Sequence, residues 1–147
     1  MTHKPEQTLN EFNRLNKEIS DLYHDICIRA GISDSAFDIL YSIVALGDGC
    51  CQKDICNYAF ANKQTIHSAI CKLEKEDMLC MKPGKGREMQ IFLTPKGKDF
   101  VKEKIFPVID MENNIFAQMT SAERNTLLQL TEKYLTYLRE KVKKGSL

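Results

Sequence analysis

The sequence predicts a mainly α fold interrupted by one β-hairpin, and three observations point there. Apolar residues recur at three- and four-residue steps through most of the 147-residue chain. Residues with capping side chains, Ser33 or Ser35, Asn62, Thr94 and Thr120, stand just before several of these runs. Convincing two-residue alternation is confined to Met89, Ile91 and Leu93, which follow the turn-forming segment PGKGR. With 43% hydrophobic residues the length suits one compact domain spanning 1–147 with a real core, and a long doubly wound cofactor sheet would be cramped.

Residues 8–30 carry Leu9, Phe12, Leu15, Ile19, Leu22, Tyr23 and Ile26 on a helical stripe that Gly31 ends. Ser33 or Ser35 caps the next helix, Ser35 with Asp38 having the spacing of a capping box. Phe37, Leu40, Tyr41, Val44 and Ala45 form its expected buried face, and the GDG at 47–49 stops it. A short helix over 52–59 turns Ile55 inward. Asn62 then caps a helix over 63–76, with Ile66, Ala69, Ile70 and Leu73 as an apolar seam. Met78–Met81 and Met89–Leu93 form the hairpin, its tip at 83–87. Thr94-Pro95 starts a long helix that Pro107 should kink or interrupt, since proline removes a donor and crowds the preceding turn. Thr120 and Glu123 make a capping box for a last helix bearing Leu127, Leu128, Leu130, Leu135 and Leu138.

Within this order, residues 33–104 have the elements of a winged helix-turn-helix with a β-hairpin wing. The flanking helices, 8–30 and 105–145, carry more apolar surface than a small core needs. A second copy of the chain is the simplest cover, which makes them N- and C-terminal dimerisation helices; completing an intramolecular bundle is the alternative.

The N-terminal segment has no apolar core of the kind a signal peptide needs, and no window approaches a membrane span. A cytoplasmic protein with no membrane partner is the expectation. Six cysteines, at 27, 50, 51, 56, 71 and 80, are more than a chain with an adequate core requires as disulfides. Cys50-Cys51 followed by Cys56 is not metal-ligand spacing, and His67 is not placed to complete a zinc site. No metal or cofactor is expected. The cysteines read as reduced and structural, with thiol sensing at exposed members such as Cys50 or Cys51 as the alternative.

The formal net charge of +1, from 21 basic and 20 acidic residues, removes any argument for nucleic-acid binding from bulk basicity. Its distribution restores one. Residues 1–40 sum to −3, whereas residues 82–104, which include the hairpin tip, sum to +4. A Gly-rich tip carrying Lys85 and Arg87 suits a phosphate backbone or a minor groove, although basic turns are also ordinary solvated loops. Opposite the Ile66/Ile70/Leu73 seam lie Lys63, Gln64, Thr65, His67, Ser68 and Lys72, donors and acceptors of short or medium reach. Gln64 can pair bidentately with adenine, and Thr65 or Ser68 can meet base edges or phosphate. Lys63, Lys72 and the helix N-terminus at Asn62 suit phosphate, as does Lys53 more weakly. His67 either touches DNA or is a plain surface histidine.

These residues carry a resemblance. NKQTIHSAICKLEKEDMLCM, with its polar start, apolar seam and Leu-Glu-Lys close, followed by GKGREMQIFLTPKG with Leu93, Thr94 and Gly97, resembles the winged helix-turn-helix of the MarR (multiple antibiotic resistance regulator) family of bacterial transcription factors. The resemblance implies a homodimer formed by the first and last helices, with residues 62–72 in the major groove and Arg87 in the minor groove. It also implies repression relieved by a small phenolic or lipophilic effector or by cysteine oxidation. Two positions depart from the family pattern. Lys85 stands where an acid usually braces the wing arginine, so that Arg87 is less rigidly aimed or the wing is held differently. Asp77 replaces a glycine after the Leu-Glu-Lys close, which requires aspartate in a left-handed conformation.

The function expected is therefore that of a dimeric regulator binding a pseudo-palindromic double-stranded operator, with recognition helices in successive major grooves. Tyr23, Phe37, Tyr41 and Phe100 could line an effector pocket, or simply be core. The rival is a winged-helix protein-interaction module that does not bind DNA. Catalysis is not expected. Cys71 and His67 share a helix face, but no third group to orient the histidine is evident.

Overall fold

The computed structural model describes residues 3–145, so residues 1, 2, 146 and 147 of the expected domain lie outside the described part. The chain falls into two compact units, Met1–Phe106 and Pro107–Leu147.

The first unit opens with α1 (Gln7–Ala30), capped by the Glu6 carboxylate on the Leu9 N–H at 2.9 Å and ended by Gly31 at φ 76°. Ser33, not Ser35, caps α2 (Asp34–Leu46), accepting from the Ala36 N–H at 3.1 Å. Asp38 makes no capping box; its carboxylate accepts the Ala61 N–H at 3.2 Å, 23 residues away. The buried sector of α2 is wider than its heptad-like stripe. Ile39, Leu40 and Ile43 are fully enclosed, whereas Ala45 is exposed, because α2 packs against both α3 (Gln52–Tyr58) and α4 (Lys63–Lys75).

The seam of α4 is buried as its spacing requires, at Ile66, Ala69, Ile70 and Leu73. Removing one such aliphatic side chain typically costs 2–5 kcal/mol, so this seam fixes which face of α4 is left outward. Asp77 ends the helix at φ 60°, the one non-glycine residue with positive φ among those described.

Strands β1 (Leu79–Pro83) and β2 (Met89–Leu93) pair antiparallel with Met81 opposite Ile91. A third short segment was not legible in the sequence. The Gly49 N–H donates to the Ile91 carbonyl and the Ile91 N–H to the Cys50 carbonyl, both at 2.8 Å, so the GDG that stops α2 also pairs with the wing. The alternation of β2 holds only at its base. Ile91 is buried, but Met89 near the tip is exposed.

Thr94 caps α5 (Pro95–Phe100), and a π-helical turn follows at Val101–Ile105. The Phe106 N–H reaches back to the Val101 carbonyl. This is the interruption that Pro107 demands: it has no N–H for the Glu103 carbonyl, and the widened turn relieves the ring against that oxygen.

α6 (Phe106–Gln118) leads to the second unit's long helix α7 (Ser121–Lys143), opened by a reciprocal capping box. Glu123 N–H donates to the Thr120 hydroxyl at 3.1 Å, and Thr120 N–H to the Glu123 carboxylate at 2.9 Å. The backbone N–H of Thr120, and then its hydroxyl, hold the Glu123 carboxyl below the ordinary glutamate range. Since the folded state has the lower value, this contribution is complete above the ordinary range and is lost as pH falls through the lowered one. Thr120→Ala is expected to cost about 1 kcal/mol at neutral pH by urea denaturation; an unchanged midpoint would contradict the cap.

Candidate nucleic-acid interface

The outward face of α4 is set by three constraints: its buried seam, its Asn62 cap and its locked C-terminus. The Asn62 carboxamide oxygen accepts the Thr65 N–H at 2.9 Å, so this acceptor is committed to the cap rather than free for a base. At the other end Met78 N–H bonds the Leu73 carbonyl at 2.9 Å, and the Thr94 hydroxyl donates to the Asp77 carbonyl at 2.5 Å. Between these anchors Lys63, Gln64, Thr65, His67, Ser68 and Lys72 are all exposed. The structure thus brings together on one helix the residues expected there. Lys53 stands exposed on α3.

The wing is braced at its base rather than at its tip. Besides the Gly49 and Cys50 pairing, the Asp48 carboxylate accepts the Leu93 N–H at 3.1 Å, and the Lys82 ammonium lies 5.0 Å from the Phe92 ring centroid. At the tip, Gly84 N–H bonds the Glu88 carbonyl at 2.9 Å and Gly86 takes φ 67°. Lys85 and Arg87 are exposed, and Arg87 has no ion pair among the described residues.

Two helices packed at α3–α4 behind α2, followed by a two-stranded wing, match known structures over most of the chain. A MarR family regulator from Neisseria meningitidis, NMB1585, superposes with a TM-score of 0.80 at 15% identity, covering 95% of this chain and 99% of that one. The Staphylococcus aureus MepR–DNA complex gives 0.69 at 19% identity, covering 92% and 99%. Bordetella bronchiseptica BpsR, whose DNA binding is regulated by 6-hydroxynicotinic acid, gives 0.67 at 19%, covering 91% and 98%. This chain has the MarR fold. No family sequence model matches it, and neither does any curated protein sequence.

Two clefts adjoin the outward face of α4 in this MarR fold. One, of about 850 Å³, lies between the α1–α2 turn, with Ser33 and Ser35, and Gln64, Thr65, Ser68 and Lys72. The other, of about 550 Å³, is lined by Gln52, Asn62, Lys63, Gln64 and His67. Gln52 was not anticipated. Its carbonyl oxygen lies 3.1 Å from His67 Nδ1, a contact across 15 residues that no local pattern announces. His67 Nε2 in turn lies 3.7 Å from Cys71 Sγ, so the third group missing from the sequence reading is present.

The other expected sites are placed as follows. Phe37 is buried with its ring 6.1 Å from that of Tyr41, Phe100 is half-buried and Tyr23 lies on the exposed side of α1. Neither cleft is lined by any of these four. Cys50 is not the exposed thiol expected. It is 8% exposed, and burial, with the Asp54 charge adding to it, pushes its thiol up to about 11. It therefore stays protonated near neutral pH. Pairing with Ile91 is what encloses it. Cys51 is half-buried at the start of α3. Among the described residues no group of three His, Cys, Asp or Glu is arranged for a metal, and no helix is long and apolar enough to cross a membrane.

Proposed function

We propose that this chain is a MarR-type transcriptional regulator that binds a pseudo-palindromic double-stranded DNA operator as a homodimer in the cytoplasm and represses transcription. The observation that carries this reading is α4: a helix clamped at both ends, its apolar seam buried, presenting Lys63, Gln64, Thr65, His67, Ser68 and Lys72 outward. In this reading Gln64 reads a base edge, Ser68 and Thr65 meet bases or phosphate, and Lys63, Lys72 and Lys53 neutralise phosphates. Lys85 and Arg87 follow the backbone into a minor groove from the wing. The solved complex of MepR with DNA, on the same fold, supports the assignment.

Dimerisation is supported by each outer helix taken separately. α1 exposes Leu9, Phe12, Leu15, Ile19 and Leu22, and α7 buries none of its residues and exposes Leu127, Leu128, Leu130, Leu135 and Leu138. Exposed apolar rows of this length on a soluble chain call for a self-complementary partner. A small lipophilic or phenolic effector acting near Tyr23, Phe37, Tyr41 and Phe100 is part of the proposal, in line with the ligand control of BpsR.

Titration against specific and random duplexes over a salt series tests the reading. DNA binding through phosphates gives a steep linear fall of log K with log salt, while a protein-interaction module gives no such binding. Gln64→Ala is expected to cost about 1–3 kcal/mol of discrimination at one base pair with the salt slope unchanged. Equal losses on specific and random duplexes would remove Gln64 as a base reader.

A further inference from the structure

We propose that Cys71, His67 and Gln52 form a reactive-thiol site that takes up α,β-unsaturated carbonyl electrophiles, and that its adduct blocks the DNA face of α4. The geometry has the three parts an activated nucleophile needs. The Gln52 carbonyl oxygen lies 3.1 Å from His67 Nδ1 and, by accepting from it, favours the tautomer with the ring proton on that nitrogen. The opposite nitrogen, Nε2, is then the bare acceptor, and it faces the Cys71 sulfur at 3.7 Å. The pair is locked in register because His67 and Cys71 are one turn apart on α4, with the intervening Ile70 fully buried. Cys71 is half-buried, within reach of a reagent, unlike the enclosed Cys27 and Cys50.

The pairing of a soft sulfur with a proton acceptor sets the class of reagent, an activated carbon–carbon double bond. The second cleft, of about 550 Å³, adjoins the site through Gln52 and His67, which line it with Lys63, Gln64 and Asn62; Cys71 does not line it, so a ring-sized reagent reaches the sulfur past His67. In the addition, the thiol proton passes to His67 Nε2 and the sulfur lone pair forms a C–S bond to the β-carbon. The carbon–carbon π pair shifts onto the α-carbon and carbonyl as an enolate, which takes the proton back from the imidazolium. Nothing is oxidised or reduced overall. The adduct then occupies the flank of the helix that carries Ser68 and Lys72. This last consequence rests on the DNA-binding reading, whereas the chemistry of the thiol does not.

The full-length protein is treated with N-ethylmaleimide, and separately with 1,4-benzoquinone, and adduct formation at each cysteine is timed by peptide mass spectrometry. Cys71 is expected to react about tenfold faster than Cys51, Cys56 and Cys80, a conservative fraction of what a positioned base supplies. His67→Gln and Gln52→Leu are expected to bring Cys71 down to the rate of the others without changing theirs. Equal rates at all four half-buried cysteines, or no change in either variant, would overturn the site. Rapid trapping of a sulfenic acid at Cys71 by dimedone after hydrogen peroxide, with no enhanced maleimide rate, would overturn the carbon-electrophile assignment. DNA affinity is then measured before and after treatment, with Cys71→Ser as the protein that cannot be modified at this position. Loss of affinity only when Cys71 is present supports the block on α4. Fast alkylation without that loss overturns the block, and absence of DNA binding by the untreated protein overturns the DNA reading while leaving the thiol site intact.

Discussion

Replacing Gly97 by alanine is expected to destabilise the protein by about 3 kcal/mol, the upper end of ordinary overpacking. A Cβ at this position would stand 2.1 Å from the Met78 carbonyl oxygen and 3.1 Å from its carbon. The obstacle is backbone, so no side-chain rotation relieves it. Met78 cannot retreat cheaply, since its N–H is bonded to Leu73 and its carbonyl accepts the Thr94 N–H at 3.1 Å. Gly97 is itself held by its N–H to the Thr94 hydroxyl at 3.0 Å. The same junction takes the Lys96 ammonium on the Glu76 carbonyl at 2.9 Å. It ties the C-terminus of α4 to the exit of the wing, so the substitution should also misalign these two elements. Urea denaturation of the wild type and Gly97→Ala measures the first effect; a midpoint within error of the wild type would show that the junction has room.

Reversing charge at Lys63 and Lys72 together is expected to lower affinity for any duplex on the order of a hundredfold near physiological salt and to flatten the salt slope by about two. Both side chains are exposed on α4, and neither has an ion pair among the described residues. The variant Lys63→Glu/Lys72→Glu should therefore fold with near-wild-type stability, which separates loss of binding from loss of structure. Retained affinity with an unchanged slope would move the phosphate contacts off this helix. A loss restricted to the specific duplex would make the two lysines base readers instead.

The local grammar of the chain was legible. Asn62 three residues before Thr65, Thr94 three before Gly97 and Thr120 three before Glu123 all cap as their spacing requires. The α4 seam is buried at the four positions that periodicity selects, and Asp77 adopts the left-handed turn assigned to it. Where two local solutions competed, pattern alone did not choose. Ser33 and Ser35 both offered a cap, and Asp38 left the local option for the distant Ala61 N–H because the α3–α4 turn presents an otherwise unpaired donor.

The remaining features depend on residues far apart in the chain. Asp48, Gly49 and Cys50 brace the wing base through Ile91 and Leu93, more than 40 positions on, which answers the missing acid before Arg87 and explains why Cys50 is buried. Gln52 meets His67 only when α3 packs on α4. Helix extents, caps, the buried seam and the place of the hairpin follow from interactions within about four residues, and such terms are written in the order of the side chains. Which thiols are enclosed, what holds the wing, why Gly97 tolerates no Cβ and which group orients His67 follow from how the packed elements approach one another. That approach is set by the joint burial of α2, α4 and the wing strands, a sum over the whole core that no local window contains.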